Sequence, residues 1–160
     1  MDKKEKIVTE QTAYSRVARL CAQKEYAPLD IAGKLYRMNL SQPQVDKIIQ
    51  RLKAGNYLDE KRFIRSYIHD KLHFNKWGKK KIILFLKQKQ LPQELIDDGF
   101  AEFPDQSFHG TLLPILREKW KHVNGKSDYE KRGKLIRYAL GRGFYMEEVL
   151  ECIHKMEINE

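Results

Sequence analysis

The chain is expected to be all-α: three tandem three-helix repeats in an elongated, curved array. Three observations predict this. Apolar residues recur at helical spacing along nearly the whole length of 160 residues. No pair of alternating apolar segments flanks a tight turn, so hairpins are not expected. The apolar anchors Leu40, Leu91 and Phe144, each just ahead of a helix start, lie 51 and 53 residues apart, an internal repeat of roughly 50 residues.

The elements follow from that periodicity. Ala13, Val17, Leu20 and Cys21 form a first stripe; Ile31, Leu35 and Met38 form a second, started by Pro28. Val45, Ile48, Ile49 and Leu52 form a third, closed by Gly55-Asn56. Its start, "LSQPQV", has Ser41 as N-cap, Gln44 three residues on, and Leu40 and Val45 as a hydrophobic staple. Leu58 and Phe63 around Asp59 repeat the staple and open a fourth helix carrying Phe63, Tyr67, Ile68 and Leu72. Ile82, Ile83 and Leu86 define the fifth, with Leu84 pointing away from the stripe; a buried strand over "IILFL" would lack a sheet to join. Leu95 and Ile96, after Pro92, define a short sixth. Leu112, Ile115, Leu116, Trp120 and Val123 form the seventh stripe, and "VNGKSD" is a loop. Leu135, Tyr138 and Ala139 form the eighth, and Val149, Leu150, Ile153 and Met156 the ninth, with Tyr145 a poor cap. The expected divisions are a tail over 1–10 and repeats over 11–58, 59–104 and 105–160.

Charged residues make up 33% of the chain and the formal charge is +9. That balance favours an anionic partner. An apolar fraction of 41% is too high for a disordered polycation. Cys21 and Cys152 each sit among helix-periodic apolar residues and are expected as reduced thiols, in a cytoplasmic setting. No apolar run approaches the ~18 residues of a membrane span, and no signal-peptide apolar region follows "MDKKEK".

The positive charge is segregated. Residues 71–93 contain seven lysines and no acid. The middle helix of each repeat is basic: Lys34 and Arg37 in the first; Lys79, Lys80, Lys81, Lys87 and Lys89 in or beside the second, with Lys76 just ahead; Arg132, Lys134, Arg137 and Arg142 in the third, with Lys131. Glu147, Glu148, Glu151, Glu157 and Glu160 concentrate in the last helix and tail. A solvated helix face accounts for single lysines; a segregated cationic surface fits phosphate or an acidic protein groove. Lysine is a point charge and suits backbone neutralisation better than bidentate reading. Lys134 and Arg137 are expected to be solvated. Lys79, Lys80 and Lys81 are expected to lie largely outside the apolar stripe, so that reversing their charge spares the fold.

Catalytic signals are weak. "HDKLH", His69 to His73, superficially resembles the zinc-protease HExxH pattern, but Asp70 replaces the glutamate and no third ligand is evident. "GKKK" lacks the spacing of a phosphate loop, Asp97-Asp98 has no partner carboxylate, and Gly141-Arg142-Gly143 reads as a turn. No enzyme, cofactor or metal is expected.

Three segments carry a family resemblance: "NYLDEKRFIRSYIHDK" (56–71), "WGKKKIILFLKQKQL" (77–91) and "LIRYALGRGFYMEEV" (135–149). Together they resemble the RecX family of RecA regulators. The family's glycine-tyrosine-aliphatic-acidic pattern before an arginine-phenylalanine pair maps onto Tyr57, Leu58, Asp59, Glu60, Arg62 and Phe63. Its glycine-centred basic helix maps onto Gly78, and its arginine-glycine-phenylalanine onto Arg142, Gly143 and Phe144. Two departures stand out: Asn56 replaces the glycine before the tyrosine, and Lys89-Gln90-Leu91 replaces lysine-glycine-isoleucine. Asn tolerates positive φ, so the first turn is expected to survive. The resemblance implies a monomer that binds in the groove of a RecA–DNA filament, with single- or double-stranded DNA met directly or through RecA, and that blocks filament growth or promotes disassembly. The motif residues are expected to act mainly structurally: Asp59 caps, Phe63 packs, Arg62 pairs locally. The alternative from charge alone is a freestanding basic DNA-binding helical module.

Overall fold

The computed structural model describes residues 7–158; residues 1–6 of the expected tail and Glu160 lie outside the described residues. Among them are nine α-helices and no strand: α1 (Glu10–Gln23), α2 (Pro28–Arg37), α3 (Gln42–Ala54), α4 (Glu60–His73), α5 (Lys79–Gln88), α6 (Gln93–Phe100), α7 (Asp105–His122), α8 (Asp128–Gly141) and α9 (Met146–Ile158). "IILFL" is helical.

Local chemistry sets the helix starts. Ser41 caps α3 in a full capping box: its hydroxyl accepts from Gln44 N–H, and Gln44 Oε1 accepts from Ser41 N–H at 2.9 Å. Asp59 caps α4 by accepting from Arg62 N–H at 3.0 Å. Tyr145 has no capping oxygen in play, but its N–H donates to Glu148 Oε1 at 3.0 Å, half of a box. The staple pairs Leu40/Val45, Leu58/Phe63 and Phe144/Val149 are all buried.

The repeat has a backbone signature. The residue just before each anchor is left-handed: Asn39 (φ 63°), Gln90 (φ 59°) and Gly143 (φ 96°). This turn reverses the chain and drops Leu40, Leu91 and Phe144 into the core. Asn56 also takes positive φ (61°), so the turn at the first departure from the family pattern survives. At the second, Gln90 adopts the conformation a glycine would, against a cost of about 1–2 kcal/mol for an L-residue.

Two hydrophobic clusters fill the molecule. One lies within α1–α3 and runs from Ala13 to Leu58. The other is shared by α4–α9 and runs from Phe63 to Met156, joined by Ala27 from ahead of α2. The second and third modules therefore share one core, and the first has its own. The principal packings follow chain order: α2 and α1 on α3, α4 on α6, α5 and α7, and α7 on α8 and α9, with none joining the first module to the third.

Some burial departs from the helical wheel. Ala18, not Leu20, is buried on α1, and Ile64 is fully buried on α4. Gly99 admits Ile64: a Cβ there would lie 2.5 Å from Ile64 Cγ2. Pro114 sits inside α7 and removes one backbone donor, that toward Gly110, where the helix faces open space. Cys21 and Cys152 are buried free thiols. Burial raises both thiol pKa values, with Glu25 adding for Cys21.

Gln90→Gly should relieve the left-handed turn and raise stability by about 0.5–1 kcal/mol in urea denaturation. Gly99→Ala should lower it by roughly 1–3 kcal/mol through overpacking against Ile64. A neutral result at Gln90 would mean its turn is unstrained.

Candidate functional site

Two joints between modules decide where the cations point. At the joint of modules two and three, backbone meets backbone. Gly78 N–H donates to the Arg142 carbonyl at 2.8 Å and Lys80 N–H to the Gly143 carbonyl at 3.0 Å. Both glycines are required for this approach. A Cβ on Gly78 would fall 2.4 Å from Gly143 C and O, and one on Gly143 would fall 2.2 Å from Lys81 Cβ. Arg142 secures the same loop: its guanidinium donates to the Lys76 carbonyl (3.2 Å), the Asn75 carbonyl and Tyr138 Oη (3.2 Å).

The joint of modules one and two is polar. Arg62 Nε donates to Glu25 Oε1 at 2.7 Å, and its Nη2 to the Asn56 carbonyl at 2.9 Å. The hydrogen bond to Glu25 raises the Arg62 pKa above its ordinary value. Lys89 Nζ pairs with Asp30 at 2.8 Å. Arg62 thus bridges modules rather than pairing only locally. Glu25 Oε2 is buried with no hydrogen-bond partner among the described residues, an unmet acceptor that works against the joint. The motif residues divide accordingly: Asp59 caps, Leu58, Phe63 and Phe144 pack, and Arg62, Gly78 and Gly143 join modules, while Tyr57 stacks edge-on against Tyr14 with centroids 6.4 Å apart.

The predicted cations fall into three groups. Four have carboxylate partners: Lys79 with Asp105 (3.9 Å), Lys89 with Asp30, Arg132 with Glu157 (2.7 Å) and Lys134 with Glu130 (4.0 Å). Two are built into the second joint: Arg142, and Lys81, whose Nζ lies 4.4 Å from the Trp77 ring centroid and whose Cβ backs onto Gly143. Lys34, Arg37, Lys80, Lys87 and Arg137 have no carboxylate partner among the described residues. One placement differs from expectation. Lys81 is half-buried at a joint, with its Cβ against Gly143, rather than largely clear of packed surfaces. Lys134 is solvated as expected, its side chain 41% exposed, and it donates to the Asn124 carbonyl. Arg137 and Leu84 are exposed as expected, Leu84 by 54%.

Lys79, Lys80 and Lys81 occupy the first turn of α5, which has no acid and no side-chain cap. Cations there oppose the helix dipole. Lys79 is offset by Asp105; Lys80 is not.

The structure gathers five cations, with the carboxylates of Glu25, Asp30 and Asp70, in a cleft between α2 and α4. Its volume is about 560 Å³, and Lys24, Lys34, Arg37, Lys71 and Lys89 line it together with Tyr26 and Tyr67. Of the predicted residues it unites Lys34, Arg37 and Lys89. Sequence reasoning missed Lys24 and Lys71. Lys24 lies in a loop and Lys71 on α4, outside the middle helices that drew notice. Lys24 and Lys34 both approach the Tyr26 ring, at 4.7 and 5.8 Å, and Lys71 approaches that of Tyr67 at 5.3 Å. Burial, then Asp30, raises the Tyr67 pKa, so its phenol stays a donor. His69 and His73 stack on an exposed face at 4.5 Å, and no group of three metal-ligating side chains forms among the described residues. No helix among them is long and apolar enough to cross a membrane.

The fold and its joints define a tandem three-helix repeat protein with cationic surfaces. The sequence profile of the second three-helix domain of RecX matches residues 59–99, and that of the third matches residues 111–153. The chain belongs to the RecX family. The regulatory protein RecX of Chlorobium phaeobacteroides (strain BS1) is 26% identical over 147 residues, 92% of this chain and 95% of that one. Its counterpart in Haemophilus influenzae (strain PittEE) is 23% identical over 142 residues, 88% of this chain and 92% of that one. The crystal structure of RecX from Lactobacillus salivarius superposes with a TM-score of 0.81 at 16% identity, covering 93% of this chain and 97% of that one. Another crystal structure of regulatory protein RecX gives 0.83 at 18%, covering 91% and 73%.

Lys80→Glu should raise stability by about 0.3–1 kcal/mol, because it replaces a cation at a helix N-terminus with an anion. Lys81→Glu should lower it by roughly 1–3 kcal/mol. Paired urea denaturation curves check both. Equal effects at the two positions would contradict the assignment of Lys81 to the joint.

Proposed function

We propose that the chain is a negative regulator of a RecA recombinase. It lies in the groove of the RecA–DNA filament, bridges successive subunits through its basic surfaces and blocks extension or promotes disassembly. Filament ATPase, strand exchange and co-protease activity fall together, which places the protein in DNA repair, recombination and control of the SOS response. Membership of the RecX family carries the proposal, since its relatives are named regulatory proteins.

The geometry supports it in two ways. A repeat array offers several weak contacts along a helical partner, and linked contacts exceed the affinity of any one. Cations without a carboxylate partner among the described residues occur in all three modules: Lys34 and Arg37, Lys80 and Lys87, and Arg137. A partner spanning the array meets positive charge in each. Lys79, Lys89, Arg132 and Lys134 contribute to the field while held by their own carboxylates, and Lys81 and Arg142 fix the orientation of α5 and α8.

The test is RecA ATPase on single-stranded DNA. Inhibition is expected at well below one molecule per RecA, and Lys80→Glu with Lys87→Glu should weaken it by about tenfold or more. Absence of inhibition at equimolar protein would remove the proposal. Tight binding to naked DNA, unaffected by RecA, would favour a freestanding DNA-binding module.

A further inference from the structure

The cleft between α2 and α4 joins Lys34 and Arg37 of the filament proposal to Lys24 and Lys71, which that proposal does not use. Two of the cleft's carboxylates pair with cations, Glu25 through one oxygen with Arg62 and Asp30 with Lys89, while Asp70 lies 3.3 Å from His69 Nδ1. Four cations remain without a carboxylate partner among the described residues: Lys24, Lys34, Arg37 and Lys71. They come from both sides of the first joint. Lys24, Lys34 and Arg37 belong to module one, and Lys71 to module two.

We propose that this cleft seats the phosphodiester backbone of a single nucleic-acid strand across the first joint. Three of its four free cations are lysines, point charges that neutralise successive backbone phosphates without demanding one fixed bidentate geometry. Helices form its walls and offer no strand edge for an extended peptide. The cleft is open along one side, and its volume of about 560 Å³ accommodates a nucleotide-sized segment of one strand. The Tyr67 phenol, kept protonated, adds a donor beside the ammonium groups. Because the cations come from two modules with separate cores, the bound strand ties the modules together. The joint it spans is otherwise held by three ion pairs, Arg62–Glu25, Lys89–Asp30 and Lys53–Glu60, by the Arg62 bond to the Asn56 carbonyl and by Ala27, so strand binding adds to a mainly polar joint and sets the angle of module one.

The seat extends the filament proposal, but its test uses naked oligonucleotide, so either can fail alone. Fluorescence anisotropy with a short labelled oligothymidylate measures affinity at several salt concentrations. Lys24→Glu with Lys71→Glu should weaken binding by about tenfold or more and reduce the salt slope by about 1.4, at about 0.7 per lost phosphate contact. Lys24→Gln with Lys71→Gln should reduce the slope likewise with little change in fold. Lys126→Glu, a loop residue of module three, should change affinity less than twofold. Circular dichroism confirms helicity throughout. Losses at Lys126 equal to those in the cleft would overturn the seat. So would unchanged binding in the neutral double variant, or polyglutamate competing as well as unlabelled oligothymidylate at equal charge. RecA ATPase inhibition by the same variants tests the filament proposal separately.

Discussion

The approach of Gly78 to Gly143 is the constraint on which the rest of the molecule turns. Two backbones come close enough to exchange hydrogen bonds only because neither residue has a side chain. That contact places the start of α5 against the end of α8. It lets α4–α9 close over one core, and it forces Lys81 inward while leaving Lys80 outside. Arg142 then satisfies carbonyls that the turn would leave open. A motif that reads as basic is thus partly an architectural device, and the charge of Arg142 serves it.

The two joints differ in kind. The second combines backbone hydrogen bonds with a shared apolar core, neither of which salt screens appreciably. The first relies on Arg62–Glu25, Lys89–Asp30 and Lys53–Glu60, partly exposed pairs of modest strength. Glu25 also carries an unmatched buried oxygen. Ionic strength therefore acts mainly on the first joint, and module one is the part of the array whose setting a polyanion can alter. On the proposed function, electrostatics enters twice, in drawing an anionic partner and in fixing the angle at which the first module meets it.

Much of the fold was legible in the sequence because local signals agreed. Ser41 with Gln44, Asp59, and the staples Leu40/Val45 and Leu58/Phe63 act within a few residues, and the structure follows them. The anchors at 40, 91 and 144 revealed the repeat, and left-handed Asn39, Gln90 and Gly143 explain why it recurs. The roles of individual cations were not legible, because they depend on contacts distant in sequence. Lys89 meets Asp30 59 residues away, and Arg142 meets Asn75 67 residues away. A helical wheel cannot see either. Ile64 escaped for the same reason: its burial depends on Gly99, a missing side chain on another helix. Lys24 and Lys71 sit outside the basic middle helices and join the cleft only in three dimensions.

Amide hydrogen exchange at Gly78 and Lys80 tests the central constraint most directly. If the backbone joint unites modules two and three, both amides should exchange only on global unfolding, at the free energy of core amides such as Leu86 and Leu135. Exchange of these two amides by a low-energy local opening, with the cores of α5 and α8 still protected, would contradict it.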